Sequence, residues 1–98
     1  MKTVLFRPEA IHDINNAFSW YEGRNPGLGE EFVRSVEVGI DRIKRTPLLA
    51  SKVHGNIRRV LIRRFPYGIF YFVEGANLFV LGCLHAKRNP TSWKGRVP

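Results

Sequence analysis

After Asp41 the sequence holds a single acidic residue, Glu74, against twelve lysines and arginines. It is poor in several other things too, and each shortage removes a class of function. There is one cysteine, Cys83, so no disulfide or cysteine-built zinc site can form within the chain; inside the apolar run 78–84 it reads as a small core residue. His12, His54 and His85 stand at no metal-ligand spacing, and no metal or cofactor is expected. A P-loop, a Gly-x-Ser-x-Gly elbow and a paired-carboxylate site are all missing, which removes the residues of the common nucleotide and hydrolase chemistries. No apolar run reaches membrane-spanning length, and residues 1–6 are too short, and too soon broken by Arg7 and Pro8, for a signal sequence. The cytoplasm is the expected compartment, with no membrane partner.

What is present is enough for one small domain. The chain has 98 residues, 44% of them apolar, including seven Phe, three Tyr and two Trp. That much apolar surface offsets the entropy of ordering a chain of this length and argues against disorder. The net charge of +8 is unevenly placed: residues 1–41 carry four basic against seven acidic side chains, so the last three-fifths hold the whole excess. Such a field attracts nucleic acid or an acidic protein segment.

Residues 2–6 read as a short strand. Pro8, well suited to a first helical turn, opens a helix with Glu9 near its positive end. Ala10, Ile14, Ala17 and Tyr21 form one apolar stripe, widened by Ile11, Phe18 and Trp20, and the turn residues 23–27 close it. A second helix follows on Leu28, Phe32, Val36, Ile40 and Ile43, with Glu30 and Glu31 early, Arg42, Lys44 and Arg45 late, and Thr46-Pro47 as its stop. From Asn56 the texture becomes β-branched and aromatic. Residues 57–65, 67–73 and 77–84 are read as three strands in an antiparallel meander, and residues 87–98 as a tail covering a sheet edge. The expected fold is α+β in the order βααβββ, a helical hairpin packed on a small, twisted, mainly antiparallel sheet.

Four arginines, Arg58, Arg59, Arg63 and Arg64, fall within seven residues, and a period of two puts Arg59 and Arg63 on one face of a strand and Arg58 and Arg64 on the other. Their planar forks suit phosphate and carboxylate alike. His85 stands at the end of the last strand with Lys87 and Arg88 behind it. His85 as general base, with Arg63, Arg64 or Arg88 stabilising a phosphorane, would supply the parts for RNA cleavage by 2′-hydroxyl attack. Trp93 with Arg96 could stack a base, clamp a partner or simply cover core. His12 is placed on the first helix and His54 in the turn 53–56.

Ala17-Phe18-Ser19-Trp20-Tyr21, Pro26-Gly27-Leu28-Gly29, Ile57-Arg58-Arg59, Arg63-Arg64-Phe65-Pro66-Tyr67 and the stretch 85–90 with Trp93 occur in an order that resembles the RelE/ParE superfamily of toxins from bacterial type II toxin–antitoxin systems, over nearly the whole chain. The resemblance implies a toxin silenced by a cognate antitoxin whose acidic C-terminal segment, extended or helical, wraps the basic surface and folds on binding. It implies one of two targets. ParE-like members inhibit DNA gyrase, and Phe65-Pro66-Tyr67 with 85–90 resembles that side. RelE-like members cleave mRNA on the ribosome, for which His85 would replace a C-terminal tyrosine, since none follows Tyr71. The surface expected to meet target or antitoxin comprises Arg58, Arg59, Arg63, Arg64, Lys87, Arg88, Trp93 and Arg96. A general nucleic-acid-binding module is the third reading of the same charge.

Overall fold

The computed structural model describes residues 2–87. The chain runs β1 (Thr3–Phe6), α1 (Pro8–Arg24), α2 (Leu28–Arg45), β2 (Lys52–His54), β3 (Ile57–Leu61), β4 (Tyr67–Glu74) and β5 (Asn77–His85). The strands form one sheet in the order β1-β5-β4-β3-β2, with β1 parallel to β5 and all other pairs antiparallel. The α+β fold expected from the sequence is present, with one further short strand, β2.

Local chemistry sets the boundaries. The Arg7 N–H makes the last bond from the N-terminal strand to β5, donating to the Val80 carbonyl at 2.9 Å, and Pro8 has no N–H to continue it. The chain therefore leaves the sheet and becomes helix. α1 ends at Arg24, and α2 begins after Gly27, whose φ of 89° lies in the left-handed region. The first N–H groups of α2 have no partner within the helix, and Glu22 from the last turns of α1 supplies one. Its carboxylate accepts from the Gly27 N–H at 3.0 Å and the Gly29 N–H at 3.0 Å. One side chain thereby ties the hairpin and caps the second helix.

The main core lies between the hairpin and the sheet. Phe32, Val36 and Ile43 from α2 meet Ile69, Tyr71, Leu78, Val80 and Cys83 from the two central strands. Strand alternation puts the second cluster, Ile57, Phe70, Leu81 and Leu84, on the opposite face of the sheet. Val80 and Cys83 both face the helices despite their odd spacing because β5 carries a bulge. Tyr71 pairs with Val80 and Phe70 with Gly82, so Leu81 is the extra residue.

Three expectations need correction. The strand expected over 57–65 stops at Leu61. Ile62 and Phe65 both turn into the main core, the Ile62 N–H donates to the Tyr67 carbonyl at 3.0 Å, and Arg64 adopts a φ of 70°. Arg63 and Arg64 are thus at the tip of a hairpin, not on alternate strand faces. His54 ends β2 rather than lying in a turn, since Lys52 and His54 pair with Arg58 and Ile57. Ile11 and Trp20, read as widening the buried stripe of α1, are exposed, Trp20 by 54%. The hairpin packs α1 through the small residues Ala10 and Ala17, leaving its flanks outside. The expected sheet-covering tail, residues 87–98, lies outside the described residues except for Lys87.

Candidate functional site

The four arginines have different local fates. Arg58 is half-buried, and its Nη1 donates to the carbonyls of Leu48 at 3.0 Å and Ala50 at 2.6 Å, pinning the loop between α2 and β2. Tyr71 supports the same loop by donating its hydroxyl to the Pro47 carbonyl at 2.7 Å; burial raises that phenol above its usual range, and Arg58 partly offsets it. Arg64 pairs with Glu31 at 2.8 Å. Arg59 and Arg63 are exposed; the stem of Arg59 lies over Gly68, the residue that pairs with Leu61 across the ladder. Along this edge α2 reaches across to the sheet. Arg42 Nη2 donates to the Leu61 carbonyl at 3.2 Å, and Ser35 Oγ to the Arg63 carbonyl at 2.6 Å.

His85 stands elsewhere, at the mouth of a cavity of about 740 Å3 between α1 and the C-terminal half of β5. Its walls include Asp13, Asn16, Trp20, Tyr67 and Lys87. Aromatic contacts position it. Tyr67 meets His85 edge-on at 5.4 Å, Phe32 meets Tyr67 at 5.0 Å and Phe65 at 5.3 Å, and Tyr21 stacks on Phe32 at 5.5 Å. Trp20 caps the outer end, with the Arg24 guanidinium 4.3 Å from its ring centre. His85 Nδ1 accepts the Lys87 backbone N–H at 3.1 Å. A nitrogen that accepts this bond carries no proton, so the hydrogen of the neutral ring is on Nε2. In this tautomer Nε2 carries the hydrogen, and the Nδ1 lone pair is engaged by the Lys87 N–H.

The structure therefore places the sequence-derived residues in two regions. His85 and Lys87 line the cavity over β5, while Arg63 and Arg64 line a smaller one of about 280 Å3 beside α2. Arg88, Trp93 and Arg96 lie outside the described residues. Sequence reasoning missed Asp13, whose carboxylate accepts the Cys83 N–H at 3.1 Å just where β1 has ended and left the edge of β5 open. It also missed Leu48 and Leu49, two exposed leucines directly behind the helix stop; an apolar pair in a loop after a basic helix end was the available signal. Among the described residues no group of three or more His, Cys, Asp or Glu side chains comes together as a metal ion would need, and no helix is long and apolar enough to cross a membrane.

Cys83 gives a test of this packing. Burial, and secondarily the Asp13 carboxylate, pushes its thiol from 9.0 up to about 12. Between those values the unfolded chain releases the proton that the native chain keeps. The stabilisation is thus whole below the unfolded value and is lost as pH rises towards the folded one. Denaturant melts at about pH 8 and about pH 10 should show stability falling, with a smaller fall in Cys83→Ala. An equal fall in both proteins would mean that the thiol is accessible.

Comparison with known proteins fits this architecture. Residues 4–90 match the family described as the ParE toxin of the type II toxin–antitoxin system, parDE. A solved structure described as a chromosomal ParDE toxin–antitoxin system from P. aeruginosa superposes with a TM-score of 0.66 at 15% identity, over 87% of this chain and 96% of that one. At that identity the likeness speaks for the fold. A search of curated protein sequences finds no match. With the family match running from within β1 through both helices to the end of β5, the chain belongs to the ParE toxins of type II toxin–antitoxin systems.

Proposed function

We propose that this protein is a cytoplasmic, single-domain toxin that poisons DNA gyrase and is neutralised by the acidic C-terminal segment of a cognate antitoxin. Family membership supports the toxin role, and the charge distribution suits an acidic partner. The observation that favours gyrase over mRNA cleavage is the engagement of His85 Nδ1 by the Lys87 N–H. A ribonuclease reading needs His85 as a base beside Arg63 and Arg64. Here His85 presents a donor, Arg64 is paired with Glu31, and both arginines line a different cavity from His85. A binding toxin needs none of these groups to converge.

The purified chain is expected to block plasmid supercoiling by gyrase, and addition of the antitoxin to restore it. Unimpaired supercoiling at a large excess of toxin would refute the gyrase reading. In a translation reaction, codon-proximal mRNA cuts that vanish in His85→Ala would establish the ribonuclease instead.

A further inference from the structure

The sheet has two apolar faces, and only one of them meets the helices. On the other, Leu81 is fully buried, and Ile57, Phe70 and Leu84 keep 6% exposure or less. Phe72 stands half-buried beside them and stacks on Phe79 at 5.0 Å. A large side chain on the open face of a single sheet has neighbours on its flanks but none above, so its tip stays in water. Four such residues are this dry only under a cover.

Among the described residues no element supplies it. Both helices pack on the opposite face, over the core that holds Ile69, Tyr71 and Val80. The loop after α2 is held on that same side, because Tyr71 and its ladder partner Arg58 bond to the carbonyls of Pro47, Leu48 and Ala50. The hairpin tip after β3 turns that way too, with Ile62 and Phe65 in the helical core. The connections at 55–56 and 75–76 are two-residue turns at strand ends.

The rest of the chain is Met1 and residues 88–98, and the second piece has the right place, length and composition. It begins just past the end of β5, next to Leu84, where the buried strip opens. Leu84 is level with Gly68 in the ladder, Phe70 lies two residues further along β4, and Ile57 follows one step past the Arg58–Tyr71 pair. The strip is therefore about 13 Å long and, over three strands, about 10 Å wide. Eleven residues reach up to about 36 Å. Trp93 is the one aromatic residue among the eleven, joined by Pro90, Val97 and Pro98. Its indole brings roughly 150–250 Å2 of surface, enough to roof Phe70 and Leu81 together. The cover is also narrow. Leu5, on the same face but out on β1, stays 41% exposed, which suits a single length of chain and not the sheet of a second copy.

We infer that residues 88–98 fold back across the outer face of the sheet, with Trp93 seated over Phe70 and Leu81. Trp93 is then an internal anchor, not a clamp on a partner, and the tail covers a face of the sheet where an edge was expected. It brings Lys94 and Arg96 to the side where Arg59 stands, since Arg59 pairs with Phe70. Of the candidate binding cations, Arg59 and Arg96 thus come together on this face, apart from Arg63 and Arg64 at the hairpin tip. The seat does not depend on which target the toxin meets.

Nuclear Overhauser contacts in the isotope-labelled full chain give the direct test. The Trp93 indole should show cross-peaks to the Phe70 ring and to the methyl groups of Leu81. Cross-peaks to Trp20 and Tyr21 in their place, or none to the sheet, would overturn the inference. A mixture of labelled and unlabelled copies distinguishes the chain's own tail from a neighbour's, and contacts that cross between copies would overturn it as well. Trp93→Ala should melt about 10–20 °C below the parent. Combined with Phe70→Ala it should lose less than the sum of the two single losses, because both remove the same contact. Melting of Trp93→Ala at the parent temperature, or strictly additive losses, would contradict the seat.

Discussion

Phe32→Ala is expected to destabilise the protein by about 4 kcal/mol, a large share of the 5–15 kcal/mol that holds a domain of this size together. Phe32 is fully buried, stacks on Tyr21 and meets Phe65 and Tyr67 edge-on at 5.3 and 5.0 Å. Its removal takes away the transfer energy of a whole aromatic ring and leaves a hole whose walls, two tyrosines and a phenylalanine, belong to three different elements and cannot all close in. The melting temperature should fall by on the order of 20 °C. Phe65 is held in the hairpin tip by the same contacts, so the variant should also loosen residues 62–66, seen as faster amide exchange there. A loss under about 1 kcal/mol would mean that the aromatic cluster is loosely packed.

Gly29→Ala is expected to cost about 2–3 kcal/mol, from overpacking. A Cβ at Gly29 would stand 2.9 Å from the Phe18 carbonyl oxygen and 2.9 Å from two Phe18 ring carbons. The ring could swing away, but the carbonyl belongs to α1's backbone and moves only if the helices part. Parting them stretches the bond from the Gly29 N–H to Glu22, so one methyl group strains both the packing and the cap. Urea melts of the two proteins measure the cost. A neutral or stabilising effect, as alanine normally gives within a helix, would show that the hairpin has room to relax.

Both sites were visible in the sequence to different degrees. The helical period through Phe32, Val36 and Ile43 was plain because burial of one helix face leaves a repeat, and the β-rich second half was plain from its composition. Glu22 as the hairpin clasp was not legible, since a carboxylate capping a different helix leaves no local spacing. The end of β3 at Leu61 escaped for a related reason. The alternation in 57–65 runs on past the strand, and only the tertiary pull of Ile62 and Phe65 into one core converts Arg63 and Arg64 into a turn. The basic surface was likewise legible as charge, not as geometry. Four arginines close in sequence proved to include one tied to a loop, one paired with Glu31 and two exposed, while Arg42, unremarked except as a favourable helix-end charge, carries a buried Nε with no acceptor among the described residues.

His85 shows the same limit from the other side. Its place at a strand end suggested a base, but the backbone of its own chain two residues on decides which nitrogen is available. A fold alone does not choose between activities, so side-chain detail of this kind bears on that choice.

The most direct test of the account is to present one preparation of the protein with both targets. Gyrase, plasmid and toxin, quenched with detergent and protease, should accumulate linear plasmid with increasing toxin, while a translating ribosome with a reporter mRNA in the parallel reaction yields intact transcript. Intact plasmid beside an mRNA cut within codons, abolished by His85→Ala, would contradict it.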